Sequence, residues 1–228
     1  MRFRPSFLLP CLALASLPLD CSAVAQGLPA QTGADGPFLG IGVGQTAHGA
    51  DLTVSVVGAG SASLDGTSLD APALDIAAGW MAAHGRWHWG VRGEAGFVLE
   101  DARATGAFDD GPAGSVSLRR DDSLHLVLQA GWAPGEGSLV YGSAGWTWTA
   151  LTAQGEIAGT GFSRSLDQDG FTLGGGLGVA VSRHAMLVLD IRREFLNART
   201  LMPDPDTQLE IGGQASGARL GLVWRFGG

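Results

Sequence analysis

The chain has 228 residues with 14 Arg, no Lys and 22 Asp plus Glu, for a formal net charge of −8. It therefore has no basic stretch with which to neutralise nucleic-acid phosphates. Its mean hydropathy is +0.17 with 16% charged residues, yet no long hydrophobic run follows the N-terminus, so the apolar residues must be dispersed along the chain.

In chain order, residues 1–25 come first: Arg2 and Arg4, an apolar stretch from Phe7 to Leu19, and the small-x-small sequence Ala23-Val24-Ala25 before Gln26. This is the pattern of a secretory signal peptide. The apolar stretch is broken by Pro10 and Pro18 and is well short of the roughly 20 residues a spanning helix needs. Cys21 does not read as a lipoprotein site, because Leu17-Pro18-Leu19-Asp20 lacks a small residue just before it. Cys11 and Cys21 are the two cysteines, and both fall within the removed segment, so the exported protein is expected to have no disulfide or thiol chemistry. Residues 26–36 are expected to form a short periplasmic N-terminal segment.

From residue 37 onward the sequence predicts eight alternating segments with connections that are alternately long and short. They lie at Pro37–Thr46, Leu74–Met81, Trp87–Glu100, Leu124–Trp132, Leu139–Leu151, Phe171–Val181, Ala185–Leu196 and the C-terminal Arg219–Phe226. Short connections fall at Ala83-His84-Gly85-Arg86, Pro134-Gly135-Glu136-Gly137 and Ser182-Arg183-His184. Long loops are expected over residues 48–72, 101–122, 152–169 and 197–216.

Eight strands joined this way predict an all-β, eight-stranded antiparallel up-and-down transmembrane β-barrel over residues 37–228. A soluble eight-stranded carrier has the same period with its apolar face inside, so the character of the two faces has to decide. On the third segment Trp87, Trp89, Val91, Ala95, Phe97 and Leu99 oppose His88, Arg92, Glu94 and Glu100. On the seventh, Leu187, Leu189, Ile191 and Phe195 oppose Asp190, Arg192 and Glu194. Polar faces that mix large charges of both signs with many glycines suit a narrow polar lumen. The tryptophans fall near segment ends or on apolar faces, as aromatic girdles do.

The last segment places Leu220, Leu222, Trp224 and Phe226 on one face and Arg219, Gly221, Val223 and Arg225 on the other. Its Arg219, Gly221, Trp224 and Phe226 resemble the C-terminal assembly signal of bacterial outer-membrane barrels, although Gly227 and Gly228 follow the aromatic that usually ends it. With Phe38-Leu39-Gly40-Ile41-Gly42-Val43-Gly44, Val140-Tyr141-Gly142-Ser143-Ala144-Gly145-Trp146 and Leu187-Val188-Leu189-Asp190-Ile191-Arg192-Arg193-Glu194-Phe195, the chain resembles the small outer-membrane β-barrel proteins. That group includes the outer membrane protein A transmembrane domain and the opacity-type surface porins. The resemblance implies a location in the bacterial outer membrane, contact with its lipids and lipopolysaccharide, delivery by the barrel-assembly machinery and a monomeric state. It further implies a structural or surface-interaction role in which the long loops meet an extracellular ligand. Arg193 departs from the pattern by standing on the lipid face.

The lumen is expected to hold Arg92, Glu94, Gln129, Asp190, Arg192, Glu194, Arg219 and Arg225 as a paired network, since an uncompensated ion there costs several kcal/mol. A switch of partners among them would make a small gated pore, the alternative function, with Gly40–Gly44 and Gly174–Gly178 leaving water-sized gaps. Arg119 and Arg120 are placed at the outer headgroups, where guanidinium groups suit lipopolysaccharide phosphates. No catalytic, cofactor or metal site is expected. His84 and His88 lack further ligands, and Asp204, Asp206 and Glu210 lack the order and glycine of a calcium loop. A lipid-modifying enzyme is the distant alternative, because no histidine has a serine and an acid in register.

Overall fold

The computed structural model describes residues 35–58, 60–99, 103–108, 114–157 and 159–226; the expected signal peptide, most of the 26–36 segment and the final Gly227-Gly228 lie outside the described residues. The strands are β1 (Gly36–Val56), β2 (Gly60–His84), β3 (Trp87–Val98), β4 (Arg103–Phe108), β5 (Gly114–Trp132), β6 (Ser138–Ile157), β7 (Thr160–Ala180), β8 (Ala185–Asp204) and β9 (Thr207–Arg225). Every pairing is antiparallel, and sequential neighbours pair along the sheet except β3 and β4. The first and last strands meet from Phe38↔Arg225 to Val56↔Thr207, and β3 pairs with β5 from Trp87↔Trp132 to Gly96↔Ser123. These contacts close a ring of eight strands. Short β4 is the ninth strand; it continues the line of β3 and pairs with the far end of β5.

The expected long loops are largely strand. β1 runs ten residues past Thr46; β6 likewise extends to Ile157 and β7 begins at Thr160, just after Gly159, while β8 and β9 extend to a turn at residues 205–206. The physical reason lies in the faces. Along β1 the inward positions stay even-numbered throughout, from Phe38 and Gly40 to Ala50, Leu52 and Val54. The outward positions change from Leu39, Ile41 and Val43 to Asp51, Thr53 and Ser55. Alternation continues while its polarity inverts: apolar side chains face lipid below Gln45 and face inward above it.

Bulges accompany the change. The register between β5 and β6 slips at Arg120/Ser123, and that between β8 and β9 slips at Leu196/Arg199. An extra residue on β5 and on β8 turns its following side chains to the opposite face, so inward positions pass from Leu118 and Arg120 to His125 and Val127.

All seven tryptophans, Trp80, Trp87, Trp89, Trp132, Trp146, Trp148 and Trp224, are exposed on the outer wall. Trp80, Trp87, Trp89, Trp132 and Trp224 cluster towards the short turns, while Trp146 and Trp148 lie with Phe97, Phe171 and Phe195 at the other boundary. From Trp87 to Phe97 is about ten steps of roughly 3.3 Å, which at a tilt near 40° gives about 25 Å, the height of the apolar band of membrane barrels.

Candidate functional site

The interior has three layers. Nearest the short turns, Leu139, Tyr141, Met186 and Val188 form a small apolar cluster with Val223 packed on it. Above it lies a charged belt. The third layer, inside the strand extensions, is a larger apolar core of Ala50, Leu52, Val54, Leu69, Ala71, Val116, Leu118, Leu151, Ala153, Ile157, Leu201, Leu209 and Ile211. Val98 of β3 and Phe162 and Leu166 of β7 pack against it, so all eight walls contribute.

Glu94 anchors the belt. Its carboxylate lies 2.5 Å from Arg92 Nε, 2.5 Å from Arg192 Nη2 and 2.9 Å from Arg219 Nη1. Arg92 Nη2 also donates to Asp190 Oδ2 at 3.2 Å, and Arg219 reaches Asp75 Oδ1 at 3.1 Å. Arg192 lies 3.7 Å from Asp190 Oδ1, and Arg120 Nη2 donates to Glu194 Oε2 at 3.0 Å. Four carboxylates (Asp75, Glu94, Asp190, Glu194) thus meet four guanidinium groups (Arg92, Arg120, Arg192, Arg219). The belt is neutral as a whole, as charges shielded from bulk water must be.

The tyrosine completes it. Tyr141 donates its hydroxyl to Asp190 Oδ2 at 2.7 Å and lies under the Arg92 guanidinium, 5.9 Å from ring centroid to Cζ. A Cβ added at Gly176 would stand 2.4 Å from the Leu189 carbonyl oxygen and 2.5 Å from the Tyr141 hydroxyl, so the ring fits because residue 176 has no side chain. Much of the gap expected along Gly174–Gly178 is filled in this way. Beside Gly40 and Gly42 a cavity of about 50 Å³ does remain, bordered by Asp75, Arg92, Glu94 and Arg219.

Several expected residues occupy different places. Gln129 is buried in the lumen but has no ion-pair partner; it borders a 30 Å³ void with Arg92 and Tyr141. Arg225 is also buried, one layer below the belt, and has no carboxylate partner among the described residues. Arg120 points inward to Glu194 and not to the headgroups, because it precedes the β5 bulge and shares the inward face of Leu118. Asp75, Arg120, His125 and Tyr141 join the belt although the sequence reading did not place them there. Asp75 was readable from β2 alternation, since it stands opposite in facing to Leu74 and Ile76.

His125 lies in the belt with its Nε2 3.1 Å from Ser123 Oγ and 3.9 Å from Glu194 Oε1. A catalytic triad needs the hydroxyl and the acid on different ring nitrogens. Here both approach Nε2, and buried Nδ1 has no partner. His48 sits beneath the upper core, fully buried with both ring nitrogens unpartnered. Burial and the charge of Arg120 push it from 6.5 down to about 4, so it is neutral at pH 7. His84 and His184 are exposed at the short turns. Among the described residues no cluster of His, Cys, Asp and Glu could hold a metal ion.

Residues 21–226 match the outer membrane protein beta-barrel domain. The chain belongs to that family. Its place is therefore the bacterial outer membrane. No curated protein sequence matches the chain. Among solved structures it is similar to the outer membrane protein OprG from Pseudomonas aeruginosa, at 15% identity and a TM-score of 0.56, covering 85% of this chain and 97% of that one. It is also similar to Neisserial surface protein A, at 14% identity and a TM-score of 0.43, covering 82% and 97%. The N-terminal β-barrel domain of Pseudomonas aeruginosa OprF matches at 13% identity and a TM-score of 0.38, covering 80% and 97%. At these identities the likeness to OprG shows the fold alone.

In an outer-membrane barrel the short turns face the periplasm and the long hairpins face outward. On the outer wall of this family member, Arg119 is partly exposed and pairs with Asp121 at 2.9 Å. Arg193 stands on the lipid face level with Leu173, bonded to Gln214 Oε1 and 5.5 Å over the Phe195 ring. Arg199 pairs with Asp169 just above it. In the terminal strand, Arg219 and Gly221 face inward while Trp224 and Phe226 face outward, with Trp224 stacked on His184 at 5.9 Å.

Proposed function

We propose that this barrel is a closed, monomeric, non-enzymatic surface protein that holds rigid hairpins above the outer membrane to meet an extracellular ligand. The observation that carries this reading is the upper apolar core. Side chains from all eight walls fill the interior above the charged belt, and Leu52, Leu118, Leu151, Leu209 and Ile211 are fully buried. A solute moving through the lumen would have to displace that core, whose close-packed leucines resist small shifts. The same core stiffens the hairpins, and a rigid scaffold is what a binding surface requires.

The terminal-strand residues Arg219, Gly221, Trp224 and Phe226 serve in this reading as the signal for the barrel-assembly machinery. Arg193 and Arg119 are the outer-wall cations for lipopolysaccharide phosphates, with Arg120 excluded by its inward bond to Glu194.

Planar-bilayer recording on the purified barrel tests closure: a silent bilayer is expected, and discrete openings would replace the proposal with the gated pore. The surface role is tested in a deletion strain. A full-length copy should restore its surface phenotype, whereas a copy with the extensions of β8 and β9 trimmed to a short turn, and shown to fold by heat-modifiable migration, should not. Full restoration by the trimmed copy would overturn the surface reading. Loss of a lipid A modification in the deletion strain would replace it with an enzyme.

A further inference from the structure

The periplasmic mouth holds a cavity of about 220 Å³, room for several water molecules, bordered by Arg225, His88, Arg86, Ser138 and the turn around Glu136. Arg225 is 9% exposed, and its buried Nε has no hydrogen-bond partner. The belt arginines Arg92, Arg120, Arg192 and Arg219 each reach a carboxylate, whereas Arg225 meets none among the described residues. His88, also 9% exposed, borders the same space with its Nδ1 unpartnered. Two acids stand at this end, both exposed: Glu136 in the turn, and Asp35, which accepts a hydrogen bond from the Ala83 N–H.

A buried guanidinium without an anion is costly, and its fork of donors matches the two oxygens of a carboxylate or phosphate. We propose that Arg225 and His88 form a binding site for an oxyanion, a carboxylate or a phosphate group, that enters from the periplasm. The anion accepts hydrogen bonds from the Arg225 guanidinium and from the His88 ring while remaining clear of the belt, since the 30 Å³ void above Arg225 is too small to admit it. The neutral belt has no spare cation to draw it further. Arg86 at the exposed edge adds positive charge to the path of entry, and Glu136 disfavours ligands with a second negative group near the rim.

The test follows the Arg225 Nε–Hε signal by NMR in the full-length mature barrel purified in detergent micelles, with inorganic phosphate or acetate added at constant ionic strength set by chloride. The assignment comes from its disappearance in Arg225→Gln. A saturable shift is expected, with half-saturation on the order of 1 mM as befits a single small-anion site. The His88→Gln variant, whose lipid-facing wall is untouched, should require roughly five-fold more anion, a difference of about 1 kcal/mol. Saturation by phosphate alone assigns a phosphoryl ligand, by acetate alone a carboxylate, and by both an unselective oxyanion site. No saturation beyond the chloride reference, or an unchanged midpoint in a folded His88→Gln barrel, would overturn the proposal.

Discussion

Replacing Glu94 with Gln removes one negative charge from the centre of the belt while keeping the side chain's size. Three guanidinium groups then lose their shared carboxylate, at 2.5, 2.5 and 2.9 Å, and the neutral belt acquires a net charge of +1. Breaking a buried pair by deleting one partner costs about 3–5 kcal/mol. Arg92 and Arg192 keep Asp190, and Arg219 keeps Asp75, so the lower end of that range, about 3 kcal/mol, is expected. Urea unfolding in lipid vesicles, followed by the fluorescence of the outward-facing tryptophans, measures it. The double variant Glu94→Gln/Arg192→Met restores neutrality and should lose less than the sum of the single variants by more than about 1 kcal/mol. A loss below about 1 kcal/mol in Glu94→Gln, or a strictly additive double variant, would refute the belt as an interdependent charge cluster.

Gly176→Ala should lower the urea midpoint, because the new methyl group collides with the Leu189 carbonyl and pushes Tyr141 from Asp190; Tyr141→Phe, which loses only the hydroxyl, should lower it less. In the upper core, Leu118→Ala should cost about 2–5 kcal/mol in the same assay, as cavity formation does where packing is tight, and a loss under about 1 kcal/mol would argue against a packed core above the membrane. His48 ties stability to pH. Its imidazole titrates near 6.5 when unfolded and about 4 when folded, so above pH 6.5 both states are neutral and nothing is lost. As pH falls from 6.5 towards 4 the unfolded chain takes up the proton first, and stability declines by about 3 kcal/mol. His48→Leu should remove that part of the pH slope, and an unchanged slope would refute it.

The membrane-spanning wall was legible because lipid imposes one rule on every strand: Leu39, Ile41 and Val43, like Leu187, Leu189 and Ile191, face outward wherever the pattern is apolar. The extensions were not, because the same alternation in Asp51-Leu52-Thr53-Val54-Ser55-Val56 has the opposite sense, and mild polarity there resembles a loop. The bulges hid Arg120, whose inward direction follows from a one-residue shift that composition does not betray. The belt was legible at Arg92, Glu94, Asp190, Arg192, Glu194 and Arg219 because each lies opposite an unmistakable lipid-facing side chain. Gln129 and Arg225 lie on the same inward faces, but sequence gives no height within the lumen, so their separation from the ion pairs required the closed ring.

The inversion at Gln45 fixes how deeply the protein sits. Were the barrel to sink by one layer, Asp51 and its neighbours on the outer wall would enter hydrocarbon; were it to rise, the lower tryptophans and leucines would leave it. A cylinder of uniform character could slide along its own axis. This one has a waterline set into its wall, so the height of the hairpin tips above the surface is a fixed property of the sequence, and what they present to the outside stands at a constant distance from the lipid.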